Sequence, residues 1–407
     1  MLVETNKKNK KVIFNLKNSK YLSSYFIYIC VGILFILGLI ALIFSTPYKN
    51  DFKLSQFFEK ITNYELGKWW ARGTELIGDT QVLIYYLALF MIAIECFFAY
   101  KKQNKNVFFI KHYYLVKIIY ILILFTIISI AIFRIYKVYN FDNGFGKYGD
   151  LVFQDTIIYR QVLTTLILVY QVIILSLFFY TIHFKLAKRS DILTNKYFSK
   201  SIKILIIGPF LLTVVTLIKG MTSRPFYLNV IFADLLNKMS KTHPEFVTYY
   251  LKQENFQLGF LTSSLDFKQY DFLKLVDINQ IKNMYFSNAN STDNWAWYVF
   301  NGFFNPSKYT CQFTYYQEWA FPSGHACQTM VVGYAWYSIF IADKKLTTKK
   351  LMFCFVYLLF LISMSFALVA TRGHWVSDIA FSYVFAIPLI VIVEIIYKKL
   401  SIKYFRI

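Results

Sequence analysis

Apolar residues along this chain fall into long uninterrupted runs, and a run of roughly 18 or more is long enough to cross the hydrocarbon core of a bilayer. Five runs are clear: Tyr25–Ser45, Gln81–Ala99, Tyr114–Phe133, Gln161–Ile182 and Leu351–Ala370. Three are shorter or less clean: Ile204–Ile218, Ala326–Ala342 and Ile379–Tyr397. The short Ile204–Ile218 run leaves a re-entrant or buried segment open as an alternative to a full crossing. Together the runs predict an all-α, polytopic bundle of about eight transmembrane helices. No repeat of solenoid period is visible. The first run follows a long basic leader with no small-residue cleavage site after it, and so reads as a retained signal anchor.

Composition agrees with that pattern. Hydrophobic residues make up 57% of the 407 and charged residues only 16%, against about 45–50% and about 25% in soluble domains. The net charge of +22 raises the question of nucleic acid, but its distribution argues for a membrane instead. With eight runs in order, one side receives residues 1–24, 100–113, 183–203, 343–350 and 398–407, which hold 24 Lys/Arg against the acids Glu4, Asp191 and Asp343. The other side receives 46–80, 134–160, 219–325 and 371–378, with 19 Lys/Arg against 17 acids. That asymmetry is the positive-inside signature. It puts both termini in the cytoplasm and the near-neutral loops outside. The tail lysines Lys7, Lys8, Lys10 and Lys11 serve as a topology signal, with contact to anionic headgroups as the alternative.

Some polar residues carry no sharp message. Cys30, Cys96 and Cys354 sit inside helical runs; Cys311 and Cys327 both fall on the outer side, where an oxidising compartment would let them pair. No spacing suggests a metal site or a cofactor. His112 and His183 lie in basic cytoplasmic segments, and Thr242-His243-Pro244 reads as a turn. Glu95 and Glu394 lie near the cytoplasmic ends of their helices and read as structural, with Lys398 four residues after Glu394 as a pairing partner.

Two outward segments hold residues suited to chemistry. Phe321-Pro322-Ser323-Gly324-His325 falls where the sixth run begins. Ser is a preferred cap and the free N–H groups of a helix start attract anions. Gly324 lets a ligand approach the backbone, and His325 stands beside any phosphate held there. The second segment, Arg372-Gly373-His374-Trp375-Val376-Ser377-Asp378, turns between the last two runs. His374 and Asp378 are four positions apart, so a helical segment puts them on one face, where the carboxylate selects the imidazole tautomer. Trp375 suits the interfacial aromatic belt. Lys219-Gly220-Met221-Thr222-Ser223-Arg224-Pro225 brings two more cations to the same side. Phosphoryl transfer through a phosphohistidine uses such a set.

These motifs resemble the type 2 phosphatidic acid phosphatase (PAP2) superfamily, in its integral-membrane lipid phosphatase branch. Its signature is a Lys followed by Arg-Pro, then Pro-Ser-Gly-His, then an Arg-containing stretch ending in His-x-x-x-Asp. Here the parts are Lys219…Arg224-Pro225, Pro322-Ser323-Gly324-His325 and His374…Asp378. The resemblance implies a six-helix core with the first two or so helices as extras. It implies that His374 is the nucleophile, Asp378 orients it and His325 protonates the leaving group. Lys219, Arg224, Ser323 and the Gly324 amide would hold the phosphate. Two departures stand out. Four residues rather than six separate Lys219 from Arg224, and Leu368 occupies the position of the family's motif Arg. Arg372 is the nearby cation available to replace that Arg, with a headgroup-contacting role as its alternative; Lys219 equally suits a snorkelling helix end.

The implied organisation is a basic tail (1–24), helices one to five ending in the first motif (25–225), an extracytoplasmic insertion (226–320), three helices with the histidine motifs (321–400) and a short tail (401–407). In the insertion, Phe226–Met239 has helical amphipathic spacing suited to lying flat on the membrane, and Asn288–Tyr316 suits a cap over the site. The expected partners are the bilayer and a lipid phosphate, with no nucleic acid. A lipid phosphotransferase, or a non-catalytic lipid-binding or transport protein, is the alternative.

Overall fold

A chain segment in hydrocarbon has no water to satisfy its backbone, so the apolar runs must close their own hydrogen bonds as helices. The computed structural model describes residues 19–140, 142, 144–252, 257–260, 285–287, 296–300, 319–341 and 347–404. In chain order the helices are α1 (Ser19–Ser45), α2 (Tyr48–Glu59), α3 (Glu65–Gln103), α4 (Val107–Lys111), α5 (Tyr114–Asn140), α6 (Ile158–Tyr180) and α7 (Tyr197–Thr222). They continue with α8 (Tyr227–Val230), α9 (Phe232–Thr242), α10 (Pro244–Leu251), α11 (Gly324–Trp336), α12 (Thr348–Ala370) and α13 (Val376–Tyr404). Two strand pairs interrupt the pattern: antiparallel β1 (Gly149–Asp150) with β2 (Asp155–Thr156), and parallel β3 (Gln257–Phe260) with β4 (Tyr285–Ser287).

Among the described residues, 7 helices are long and apolar enough to cross a membrane. The chain is a multi-pass helical membrane protein. Large apolar side chains such as Ile33, Phe125, Phe133 and Leu177 are exposed on the bundle's outside, which water would not tolerate as one surface but lipid does. The Ile204–Ile218 run is part of the 26-residue α7, which is long and apolar enough for a full crossing. The eighth expected run falls short of the other seven. It forms the 13-residue α11, which runs on as a π-helical turn over Tyr337–Ile341. Its neighbours explain its polarity. α11 packs among α3, α7, α12 and α13, so Gln328 and Thr329 are enclosed by protein and need not face lipid.

Gln328 ties three helices together. Its Nε2 donates to the Gly208 carbonyl of α7 (3.0 Å) and its Oε1 accepts from the Tyr86 hydroxyl of α3 (2.6 Å). A Cβ at Gly208 would overlap the Tyr86 hydroxyl, so only glycine allows this crossing. The peripheral helices also differ from expectation. α1 packs on α13 and α5 mainly on α6, whereas α3 packs on α6, α7, α11 and α12 at the centre. The second run is therefore a core helix, and α5 is the outlying one.

Above one end of the bundle sits a second apolar cluster. The apolar side of α9, with Phe232, Leu235, Leu236 and Met239, packs against Phe145, Leu151, Tyr227, Tyr250 and Trp375. Phe145 stacks on Tyr250 at 4.6 Å between ring centres. The amphipathic face of Phe226–Met239 is thus occupied by protein and does not lie free for a membrane surface. Most of Asn288–Tyr316, together with Cys311, lies outside the described residues.

Candidate functional site

The turn from α12 to α13 folds back on itself. Arg372 takes a left-handed conformation (φ 61°), and the His374 N–H returns to the Leu368 carbonyl at 3.2 Å. α13 then begins at Val376, where helix geometry leaves the first N–H groups without intrahelical partners. Every one that matters here is taken. The Trp375 N–H donates to Asp378 Oδ2 (2.9 Å), the reach-back half of a capping box. The Val376 N–H donates to Ser55 Oγ (3.3 Å), and the Ser377 N–H to Asp51 Oδ1 (3.1 Å). Asp51, Ser55 and Glu59 are all buried on one face of α2, which lies across this end of the bundle. This helix start is closed to a ligand.

The start of α11 is arranged differently. Ser323 caps it, its Oγ accepting from the Ala326 N–H (3.4 Å), while its own N–H donates to Ser382 Oγ (3.0 Å). Helix geometry leaves the N–H groups of Gly324 and His325 in the first turn, where an anion is favoured. A Cβ built on Gly324 would meet only Val215 Cγ1 at 3.9 Å, so the backbone there is open to approach.

The two histidines face each other beside that helix start, with ring centres 6.4 Å apart and nearly perpendicular rings. His374 is buried, at 4% exposure, and its Nδ1 lies 3.3 Å from Asp378 Oδ2. That contact points Nε2 away from the carboxylate. Burial pushes the His374 imidazole down to about 4, against the opposing pull of Asp378; the charge of Lys219 and His325 lowers it further. His374 is thus a neutral base over the physiological range. His325 is half-exposed, and its Nε2 lies 3.6 Å from Asp79 Oδ1. Asp79 in turn faces Arg134 at 3.9 Å.

The cations are placed unequally. Lys219 Nζ donates to the Trp319 carbonyl and, at 3.4 Å, to the Ala320 carbonyl, holding residues 319–321 against α7. It remains near enough to His374 to oppose its protonation. Arg224 is fully buried. Its Nη1 donates to Asp378 Oδ1 and to Ser377 Oγ, both at 2.6 Å, and its Nη2 to Asp51 Oδ2 at 2.7 Å. The guanidinium lies 4.5 Å from the Trp375 ring centre. Trp375 itself is fully buried, donating to the Pro225 carbonyl (2.9 Å), so it is a packing residue under the arginine and no interfacial belt residue.

Arg372 does not reach the histidines. Its Nε donates to Glu59 Oε2 (2.8 Å), its Nη1 to the Val152 carbonyl and its Nη2 to Thr62 (3.4 Å). The left-handed turn aims its side chain at α2 and the β1–β2 loop. Arg372 therefore does not stand in for the motif arginine replaced by Leu368, and that expectation is corrected.

Sequence reasoning passed over Asp51, Glu59 and Asp79. Asp51, Ser55 and Glu59 stand four apart, a one-sided polar stripe that could have marked α2 as a helix docked on polar partners. Asp79 had no local signal. Elsewhere, Glu95 accepts from Tyr113 (2.8 Å) and Tyr120 (3.2 Å) and contacts His183 Nδ1 (2.7 Å), and Glu394 pairs with Lys203 (2.5 Å).

Fold and site define a polytopic helical membrane protein carrying a paired-histidine, aspartate-backed cluster at one end of its bundle. Residues 298–401 match the PAP2 superfamily, a range that includes Ser323, His325, His374 and Asp378 but neither Lys219 nor Arg224. An uncharacterized protein of Mycoplasma capricolum subsp. capricolum is 37% identical over 381 residues, 93% of this chain and 94% of that relative. No solved structure matches the chain. Residues 298–401 belong to the PAP2 superfamily, and that match supports a phosphatase-type enzyme.

Proposed function

We propose that the protein hydrolyses a phosphate monoester or diphosphate on a lipid at the outer face of the cell membrane, through a phosphohistidine. The observation that carries this reading is the buried, neutral His374, tied to Asp378 and facing His325 across the open start of α11. His374 Nε2 attacks phosphorus, forming an N–P bond as the bond to the lipid oxygen breaks. His325 donates its proton to that oxygen, so the lipid leaves as an alcohol or a monophosphate. Water then attacks phosphorus, its proton passes to His325, and the N–P bond breaks to release phosphate. The N–H groups of Gly324 and His325, with Ser323 and Lys219, surround the phosphoryl oxygens as charge develops. The membrane supplies the argument for a lipid, since a site at the bundle end meets headgroups directly.

One observation favours a second reading. Arg224 and Arg372 are both committed to buried carboxylates, which leaves fewer cations for phosphate and suits a non-catalytic lipid binder. Phosphate release from phosphatidate, phosphatidylglycerol phosphate and a prenyl diphosphate, measured with EDTA present, separates the two. Hydrolysis by the wild type that disappears in His374→Ala supports the enzyme; equal low release by both sinks it.

A further inference from the structure

A large cavity among the described residues lies away from the histidines, at the opposite end of α7. It encloses about 1540 Å³ between α1, α7, α12, α13 and the π-helical end of α11. Ordinary small-ligand sites hold roughly 300–1,000 Å³, so a bulky, chain-bearing ligand fits this one better than a metabolite. Lys203 on its wall is 16 residues from Lys219, about 24 Å along a helix axis, so this is a separate site.

Its lining changes in a fixed order. Val31, Leu34, Leu361 and Ile390 supply apolar walls toward the bundle interior. A neutralised polar cluster follows: Lys203 Nζ lies 2.5 Å from Glu394 Oε2 and 5.3 Å from the Tyr334 ring centre, and the Tyr334 hydroxyl donates to the same carboxylate. Lys101, Lys196 and Lys200 line the end of the cavity where α3 finishes and α7 begins. Apolar depth, a net-neutral hydrogen-bonding belt and a cationic mouth follow the profile of one bilayer leaflet, from acyl chain through ester to anionic headgroup. A purely apolar crevice would take any lipid; the lysines at this mouth select charge.

We infer that this cavity is a binding site for an anionic diacyl phospholipid, drawn from the leaflet opposite the histidine site. The inference is independent of the phosphatase reading, because the lipid has a phosphodiester headgroup and lies at the other end of the bundle.

The test uses the delipidated full chain in detergent, titrated by native mass spectrometry with dioleoyl phosphatidylglycerol and with dioleoyl phosphatidylcholine. Preferential retention of the anionic lipid is expected. Lys196→Gln with Lys200→Gln should weaken its retention roughly thirtyfold, about a factor of five for each lysine charge removed from near the headgroup. Val31→Trp, which fills the apolar part without altering charge, should also displace it. Size-exclusion elution and thermal stability identify variants that have merely unfolded, and His374→Ala should bind as the wild type does. Equal retention of the two lipids, no retention of either, or binding unaffected by both substitutions would each overturn the assignment.

Discussion

At the residue scale, the two histidines have opposite surroundings and should fail in opposite ways. His374 is buried and held down to about 4 from its ordinary 6.5. A base with a lowered folded value is favoured neutral, so the nucleophile should persist as pH falls and disappear only near pH 4. The acid limb of kcat/KM in a pH–rate profile checks this; a limb at 6.5 would contradict the burial argument. The same depression has a stability sign. Between about 6.5 and 4 the unfolded chain takes up a proton that the folded His374 refuses, so His374 lowers stability as pH drops through that window. His325 is half-exposed beside Asp79, the position for a proton donor to the leaving oxygen. His325→Ala should reduce kcat on an alkyl phosphate by about 10²–10⁴-fold. It should scarcely affect p-nitrophenyl phosphate, whose leaving group departs unprotonated. Asp79→Asn should show part of the same substrate-dependent loss, which a merely structural carboxylate would not produce.

At the element scale, α2 is the part that organises the site without touching the reacting atoms. It meets two buried arginines with a carboxylate each, Asp51 for Arg224 and Glu59 for Arg372, and it closes the start of α13 with Asp51 and Ser55. Removing one partner of a buried pair leaves an uncompensated charge, at a cost of about 3–5 kcal/mol. Glu59→Ala should destabilise by that order in thermal or denaturant unfolding of the purified protein, and Asp51→Ala by less, since Asp378 still pairs with Arg224. If Asp51→Ala unfolds no more readily than wild type, the clamp role of α2 is wrong. This helix also shows where the sequence stops being readable. Ser323-Gly324-His325 and His374…Asp378 could be recognised because each packs its chemistry into a few adjacent residues. The apolar runs could be read because lipid demands length and continuity. Asp51 reaches Ser377 across 326 positions of chain and Asp79 reaches His325 across 246, distances at which a lone acid leaves no local pattern. The direction of Arg372 was equally hidden, since it depends on a left-handed turn by a residue that seldom adopts one. The polarity of α11 obscured its place in the bundle for a related reason: enclosure by four helices, not lipid, sets its composition.

At the scale of the whole molecule, the bundle has two chemically different ends, and the proposed reaction requires that they lie on different sides of the membrane. The histidines, α2 and the α8–α10 cap occupy one end; the lysines of the large cavity occupy the other. The Lys/Arg asymmetry of the connecting segments predicts that the lysine end lies in the cytoplasm. Lys147, exposed in the connection between α5 and α6, belongs to the histidine end, and Lys188, exposed between α6 and α7, to the other. In a background with the native cysteines replaced by alanine, Lys147→Cys should react with a membrane-impermeant maleimide on intact cells. Lys188→Cys should react only after permeabilisation. The reverse pattern would turn the site to the cytoplasm and remove outer-leaflet headgroups from its reach, leaving inner-leaflet lipid phosphates as its substrates. Labelling of both positions from outside would mean that α6 does not cross, which its 23 residues and lipid-facing Leu166, Ile173 and Leu177 argue against.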